Sequence, residues 1–152
     1  MPRVDFYVTD DKQSDARLKL ACRVAEKGYL AQQRVVVWCQ DVAMLTRLDE
    51  LLWTYRDGSF VPHDPIDDGH TEIEAPVALT TGALPATRHD LLINVSDKVP
   101  SAWQRFERIA EILDGAEETR SAGRERFRLY REQGADPETH QIAGPRAAVI
   151  RK

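Results

Sequence analysis

Apolar and polar positions follow strand spacing and helix spacing in turn through the first third of the chain. Alternating apolar side chains over Arg3–Thr9 predict a strand, and an apolar face at helical spacing predicts a helix from a cap at Ser14 to about Gln32. The continuous apolar block in Arg34–Cys39 predicts a strand covered on both faces. A second helix is predicted from a cap at Asp41 to about Tyr55. This order is the opening of a doubly wound α/β sheet.

The middle of the chain is less regular. Prolines and Asp-Gly pairs in 56–76 predict a long surface excursion, and Val77–Thr81 and Leu91–Val95 are two further strand candidates. The stretch Ser101–Leu113 fits a helix, but Arg108–Leu113 fits an edge strand equally well. Periodicity alone leaves both interpretations of this stretch open.

The last clear element is a helix over Glu117–Gln133, with acidic residues in its first turn and Gly134 directly after it. Residues 135–152 have no clear period, and we expect this C-terminal tail to be partly ordered. The pattern therefore predicts one α/β domain over 1–134. We expect a three-layer α/β/α arrangement with a mainly parallel sheet of about five strands.

Composition narrows the function classes. The 152 residues carry a formal net charge of −4, which argues against a protein that coats nucleic-acid phosphates with its whole surface. No apolar run is long enough to cross a membrane, and the start does not resemble a signal peptide. Cys22 and Cys39 match no zinc or redox spacing, so we expect buried free thiols in a cytoplasmic protein.

A doubly wound sheet suggests nucleotide binding, but the sequence lacks the phosphate loop. The loop Thr9–Asp15 after the first strand contains no glycine and three aspartates, which would repel a phosphate. No Walker-type glycine-lysine motif occurs elsewhere in the chain. A classical dinucleotide or P-loop site is therefore not expected, although an enzyme or nucleotide binder at the carboxyl edge of the sheet remains one hypothesis.

Other candidate chemistry is weak. Metal-ligand types cluster at His63, Asp64, Asp67, Asp68 and His70, but without a spacing that sets two imidazoles on one face. We expect a solvated acidic loop there, and no metal or cofactor. His89-Asp90 is typical of a turn or cap before a strand, and Ser96-Asp97 is only a weak hint of a ligand at the carboxyl edge.

An arginine stripe on the last helix stands out. At about 100° per residue, Arg120, Arg124, Arg128 and Arg131 fall in one narrow sector, with Phe127 beside them and Tyr130 at its edge. One interpretation is a solvated helix face with the aromatic rings in the core. However, the basic residues of 120–131 are all arginines, none is a lysine, and a single glutamate lies among them. This composition favours bidentate binding of carboxylates or phosphates from a partner.

A second candidate surface is apolar. Trp53 near a helix end is followed by Phe60, Val61 and Pro62 in a turn-rich segment. These residues either fold back over the core or form an exposed anchor for a protein partner.

Four blocks of the chain match the pattern of a known family in order. They are Phe6-Tyr7-Val8, Arg47–Trp53 with Ser59–His63, Arg88–Ile93, and Arg124–Arg131. With these residues the chain resembles the chi subunit of the bacterial DNA polymerase III clamp-loader complex. The resemblance covers the chain to about Gln133, and it favours a strand at Arg108–Leu113.

The resemblance implies a non-enzymatic replication adaptor without a nucleotide or other cofactor. It implies binding to the acidic, Phe-terminated C-terminal tail of single-stranded DNA-binding protein, with Arg124 and Arg128 receiving carboxylates. Phe127 and Tyr130, with Leu113 nearby, would shape the pocket, and Arg120 and Arg131 would form its electrostatic rim. A lysine usual in the family is Arg128 here, which keeps the charge, whereas Arg126 lies on another helix face.

The same resemblance implies a second protein partner, and one alternative function remains. Trp53, Phe60, Val61 and Pro62 would face the psi subunit, where one is present, and so join the clamp loader; contact with DNA would be indirect and no membrane would be involved. The alternative is a direct single-stranded nucleic-acid-binding module that uses the same arginines with Phe127 and Tyr130 as stacking platforms.

Overall fold

A parallel β-sheet organises the chain, as described by a computed structural model for residues 1–55, 58, 60–66 and 73–142. Its elements in chain order are β1 (Arg3–Thr9), α1 (Ala16–Leu30), β2 (Val35–Trp38), α2 (Val42–Thr54), β3 (His63–Pro65), β4 (Val77–Thr80), β5 (Leu91–Asn94), a 3-10 turn (Trp103–Arg105), β6 (Arg108–Leu113), α3 (Glu117–Glu132) and β7 (Glu138–Ile142).

The seven strands of the described residues lie in the order β3-β4-β2-β5-β6-β1-β7, and all their pairings are parallel. Apolar side chains fill both faces of the central strands. One core cluster lies under α1 and α2, and the other lies under α3 and the 3-10 turn. The predicted three-layer α/β/α class is therefore confirmed, since continuous apolar strands need a covering layer on each side.

Most predicted elements are found within one or two residues of their expected ends. Asp41 caps α2 as predicted, because its carboxylate accepts a hydrogen bond from the Met44 amide at 2.8 Å. The cap predicted at Ser14 is wrong: α1 begins after Asp15, whose carboxylate binds Arg47 instead of the helix amides. Gly134 ends α3 with a φ of 96°, a left-handed conformation that glycine adopts without strain.

The ambiguous stretch resolves into two elements. Residues 103–105 form the 3-10 turn, and Arg108–Leu113 is a central strand between β5 and β1. The edge position considered for this strand is wrong, since β7 lies beyond β1 and the sheet continues on the other side through β5. The two-sided burial explains the apolar block that also resembled a helix face.

The two edge strands were not predicted. β3 is three residues long and ends in Pro65, within a segment predicted to be a surface excursion. β7 lies in the C-terminal tail and has the polar sequence Glu-Thr-His-Gln-Ile. Edge strands bury little, so they carry no apolar alternation from which to predict them. The remaining tail residues, 143–152, lie outside the described residues.

Arg88 is fully buried at the end of the sheet where β2 and β4 begin. Its guanidinium donates to the carbonyl oxygens of Val35, Pro76, Ile73 and Ala75 at 2.5–3.2 Å. These bonds hold the chain that enters β4 against the start of β2. Asp90 has a structural role at this end of the sheet, since its carboxylate accepts a hydrogen bond from the Arg34 amide at 2.7 Å.

Charged contacts reinforce the attachment of β7 to β1. The fully buried Asp5 carboxylate binds His140 of β7 at 2.8 Å, Arg3 at 3.0 Å and Arg108 at 3.2 Å. Burial alone would raise the pKa of Asp5, but the hydrogen bond from His140 and the charges of Arg3 and Arg108 outweigh it and lower that pKa. The ring of His140 also stacks on Tyr7 at 5.2 Å.

We predict that Asp5→Asn lowers the free energy of unfolding by about 1–3 kcal/mol near neutral pH, since it removes charge-assisted hydrogen bonds to a buried group. A lowered pKa makes this contribution complete above the unfolded value of about 4 and lost as the pH falls below it. Urea unfolding at several pH values should therefore show the gap to wild type narrowing in acid. Asp136→Asn, at an exposed position just before β7, is the control; a gap independent of pH would contradict the assignment.

Candidate binding groove on the third helix

Helix α3 lies close against the sheet through a small residue. Gly123 faces Leu113 of β6, and a Cβ atom there would lie 2.6 Å from the Leu113 Cδ1 atom. Any larger side chain would push the helix outward. The close approach buries Arg126 and Tyr130 on the inner side of α3.

A buried carboxylate fixes the rotation of this helix. Glu111 of β6 is fully buried and accepts hydrogen bonds from the Tyr130 hydroxyl at 2.6 Å, Arg126 Nε at 2.9 Å and Asn94 Nδ2 at 2.9 Å. Burial and the adjacent Glu111 raise the pKa of Tyr130 well above its usual value, so its hydroxyl stays a donor. Arg126 and Tyr130, four positions apart on α3, thus both donate to the same carboxylate on β6.

With that side of α3 held inward, the arginine stripe faces solvent. Arg124, Phe127, Arg128, Arg131 and Glu132 line an open groove of about 540 Å³. Phe127 is half-buried and packs against Phe6 with ring centroids 5.2 Å apart. The groove therefore has one fixed aromatic ring among three guanidinium groups, an arrangement that suits a ligand with both carboxylates and an apolar group.

Two of the three groove arginines form surface ion pairs. Arg124 binds Glu117 at 3.0 Å and Arg128 binds Glu125 at 3.1 Å, with the arginine side chains 63% and 65% exposed. Exposed pairs of this kind contribute about 0–1 kcal/mol. For Arg131, the described part of the chain offers no ion-pair partner. Carboxylates of a ligand can therefore replace these contacts at small cost.

The structure separates the seven residues predicted for this site into three groups. Arg124, Phe127, Arg128 and Arg131 line the groove, whereas Arg120 lies further toward the start of α3 and binds Asp10 at 2.7 Å. Leu113 and Tyr130 are buried beneath the helix. The Tyr130 side chain turns inward to Glu111 and does not line the groove, and its expected part in shaping the pocket stays a prediction.

The buried contacts between Glu111 and α3, which orient the groove residues, were not predicted from the sequence. Glu111 sits in an apolar strand as an isolated acid, and Arg126 looks like one more member of a basic run. The available signal was a single acidic residue in the strand block. An Arg and a Tyr four positions apart follow it on the next helix. Only the folded pairing of β6 with α3 brings them together.

The usual ligand position of this fold is filled by the protein itself. β1 and β6 are neighbours whose following helices cover opposite faces of the sheet, which is where α/β proteins bind ligands. There Arg120 donates to Asp10 and to the carbonyl oxygens of Thr9 and Asp114. A Cβ atom on Gly115 would lie 2.3 Å from the Asp10 carbonyl oxygen, so the two loops touch.

The weak hints from sequence have structural roles. Ser96 and Asp97 accept hydrogen bonds from the buried Arg17 at 3.0 and 3.4 Å. His63 is buried, and its ring nitrogens contact the carbonyl oxygens of Val61 and Asp49 at 2.7 and 3.2 Å. Of the other residues in that cluster, Asp64 is exposed on β3, and Asp67, Asp68 and His70 lie outside the described residues. Burial raises the pKa of Cys22 and Cys39 to about 12, which leaves both thiols unreactive.

One group of potential metal ligands occurs among the described residues, Asp5, Glu138 and His140. Arg3 and Arg108 already bind the Asp5 carboxylate, and their positive charge opposes a cation there. None of the described helices has the length and apolar character needed to span a bilayer.

The apolar patch is smaller than predicted. Trp53 and Phe60 are 53% and 60% exposed, with ring centroids 5.7 Å apart, and the Trp53 ring also packs on His63 at 4.7 Å. Pro62 is partly buried. Val61 is fully buried in the core, so the expectation that it faces a partner is not met. For this one residue the structure supports the other interpretation, in which the segment folds back over the core.

These features define an α/β protein of nucleotide-binding topology whose ligand crevice is filled by its own side chains. The sequence model of the family described as DNA polymerase III chi subunit, HolC, matches residues 1–138. The DNA polymerase III subunit chi of Pseudomonas aeruginosa is 40% identical over 142 residues, covering 93% of this chain and 98% of that protein. The subunit chi of Escherichia coli strain K12 is 27% identical over 139 residues, covering 88% of this chain and 94% of that protein. The chain belongs to the DNA polymerase III chi subunit family.

We predict that Tyr130→Phe lowers the free energy of unfolding by about 1.5–3 kcal/mol, because it removes a hydrogen bond to a buried charged group. Urea unfolding followed by circular dichroism measures this. Tyr29→Phe is the matched control, since no partner of its hydroxyl is found among the described residues. Equal losses in the two variants would show that the contact with Glu111 contributes nothing specific.

Proposed function

We propose that this chain is a non-catalytic adaptor of DNA polymerase III that binds the acidic C-terminal tail of single-stranded DNA-binding protein in the α3 groove. The observation that carries the proposal is the set of three arginines around Phe127 in a chain of the chi family. Through the Trp53–Phe60 patch it joins psi, and so the clamp loader, in the cytoplasm. It has no active site of its own.

The chemistry of the groove suits such a tail. Guanidinium groups bind carboxylates with two parallel hydrogen bonds, and Arg124, Arg128 and Arg131 follow one another along α3 at intervals of about one turn. The terminal phenylalanine ring packs beside Phe127, whose own ring is held by Phe6. Its position beside the arginines places the terminal carboxylate within their reach.

Direct binding of single-stranded nucleic acid is the weaker candidate. Stacking on bases needs exposed rings, but Tyr130 is fully buried and Phe127 is half-buried against Phe6. The net charge of −4 also opposes binding to phosphates. Contact with DNA is therefore indirect, through the bound partner.

We predict that Arg124→Ala or Phe127→Ala weakens binding of a fluorescent acidic peptide ending in Phe by about tenfold or more, because each removes a central contact of the groove. Binding should also weaken as salt rises, since exposed charges are screened. Fluorescence anisotropy measures both effects.

The matched control for this titration is Arg105→Ala, which removes an exposed arginine away from the groove. Circular dichroism confirms that each variant is folded. Unchanged peptide affinity in both groove variants would refute the tail site. An oligonucleotide that binds wild type as tightly as the peptide does would favour the nucleic-acid alternative.

We predict that Trp53→Ala, alone or with Phe60→Ala, reduces co-purification of psi at least tenfold and leaves peptide binding unchanged, because exposed aromatic residues contribute most to interface affinity. Val42→Ala is the control, since Val42 is exposed on the same helix α2 as Trp53. Loss of peptide binding in the Trp53 variant would instead indicate a general folding defect.

A further inference from the structure

A second groove lies on the face of the sheet opposite α3, between α1 and the edge formed by β1 and β7. Its volume is about 370 Å³, within the range of small-molecule sites. Its walls come from the second half of α1, the start of β5 and β6, Tyr7 of β1 and Ile142 of β7. It shares no lining residue with the α3 groove.

The groove exists because β7 widens the sheet beyond the helix that covers it. α1 packs over the central strands, and on this side of the sheet Tyr7 stacks on His140. The apolar side chains of Leu20, Val24, Leu91 and Ile142 line the resulting trough. They offer an apolar ligand surface that water covers poorly.

The rim of this trough is cationic. Arg23 and Lys27, one helical turn apart on α1, both line it, are exposed, and have no ion-pair partner among the described residues. Glu26, which lies between them in sequence, is not among the lining residues. Among the described residues that line the groove, none is acidic.

A third cation stands across the groove from these two. Arg108 is bound to Asp5 and to the Tyr7 hydroxyl, but it shares the Asp5 carboxylate with Arg3 and His140. The Glu138 carboxylate also lies within 4.8 Å of the ligand atoms of Asp5 and His140, so the two arginines of this wall, Arg3 and Arg108, are accompanied by two carboxylates. An anion entering the groove meets positive charge from α1 and from β6.

We propose that this groove binds a small organic anion with a compact apolar body, such as an aromatic carboxylate. The carboxylate lies between Arg23, Lys27 and Arg108, and the apolar body packs on Val24, Leu91 and Ile142. Phosphate or nucleic acid leaves the apolar lining unsatisfied.

The test uses 1-naphthoate as the probe and 1-naphthamide, which has the same shape without the charge, as its matched partner. Amide resonances of the full-length protein are followed by NMR during titration. Naphthoate should shift resonances of residues 20–31 and 138–142, and any shifts on α3 report the separate α3 groove and are fitted on their own. Naphthamide should bind at least tenfold more weakly.

Two variants test the rim and the lining separately. Arg23→Gln with Lys27→Gln removes the exposed charges and should weaken naphthoate at least tenfold without altering naphthamide. Ala31→Trp, at an exposed lining position, should block both compounds. Lys98→Gln with Arg105→Gln removes two exposed charges elsewhere and should change neither affinity.

Three results would overturn this proposal: equal affinity for the two compounds, unchanged naphthoate binding in the Arg23 and Lys27 variant, or shifts confined to α3. The peptide titration of the α3 groove is a separate measurement, so either site can fail without the other. Blocking this groove with Ala31→Trp should leave peptide binding unchanged.

Discussion

The buried carboxylate of Glu111 is the contact on which the outer surface of this protein depends. It lies on the central strand β6, and the burial of an acid there is tolerated only because Tyr130, Arg126 and Asn94 satisfy it. Two of these donors belong to α3. They reach Glu111 only when the helix is turned to one particular angle about its axis, so only that orientation offsets the cost of burying the charge. The groove arginines face solvent as a direct consequence.

The crevice at the carboxyl ends of the central strands, where this fold usually binds ligands, is closed in this protein. In nucleotide-binding relatives of this topology, the carboxyl ends of the central strands hold the ligand. Here Arg120 and Asp10 pair across that crevice, and Arg17 holds the neighbouring loop at Ser96. The side chains that would contact a phosphate bind one another there. The exposed groups proposed to bind partners lie elsewhere, on the outer side of α3 and at Trp53.

The strand β7 has a similar effect on the opposite face. It extends the sheet past the cover of α1 and is held by the Asp5 contacts with His140, Arg3 and Arg108. This extension produces a cationic trough that is independent of the α3 groove. The two grooves lie on opposite faces of the sheet, and they share no lining residue among those described.

The sequence by itself determined the α/β class, the ends of most central elements and the arginine stripe, because strand and helix spacing and helical angle are local properties of the chain. It also located the exposed Trp53 and Phe60 correctly, but not the inward turn of Val61 or Tyr130. Those directions, the edge strands β3 and β7, and the pairing of Glu111 with α3 were decided only by the tertiary structure. The physical reason is that a buried polar contact or an edge pairing joins residues far apart in sequence, and no local period records them.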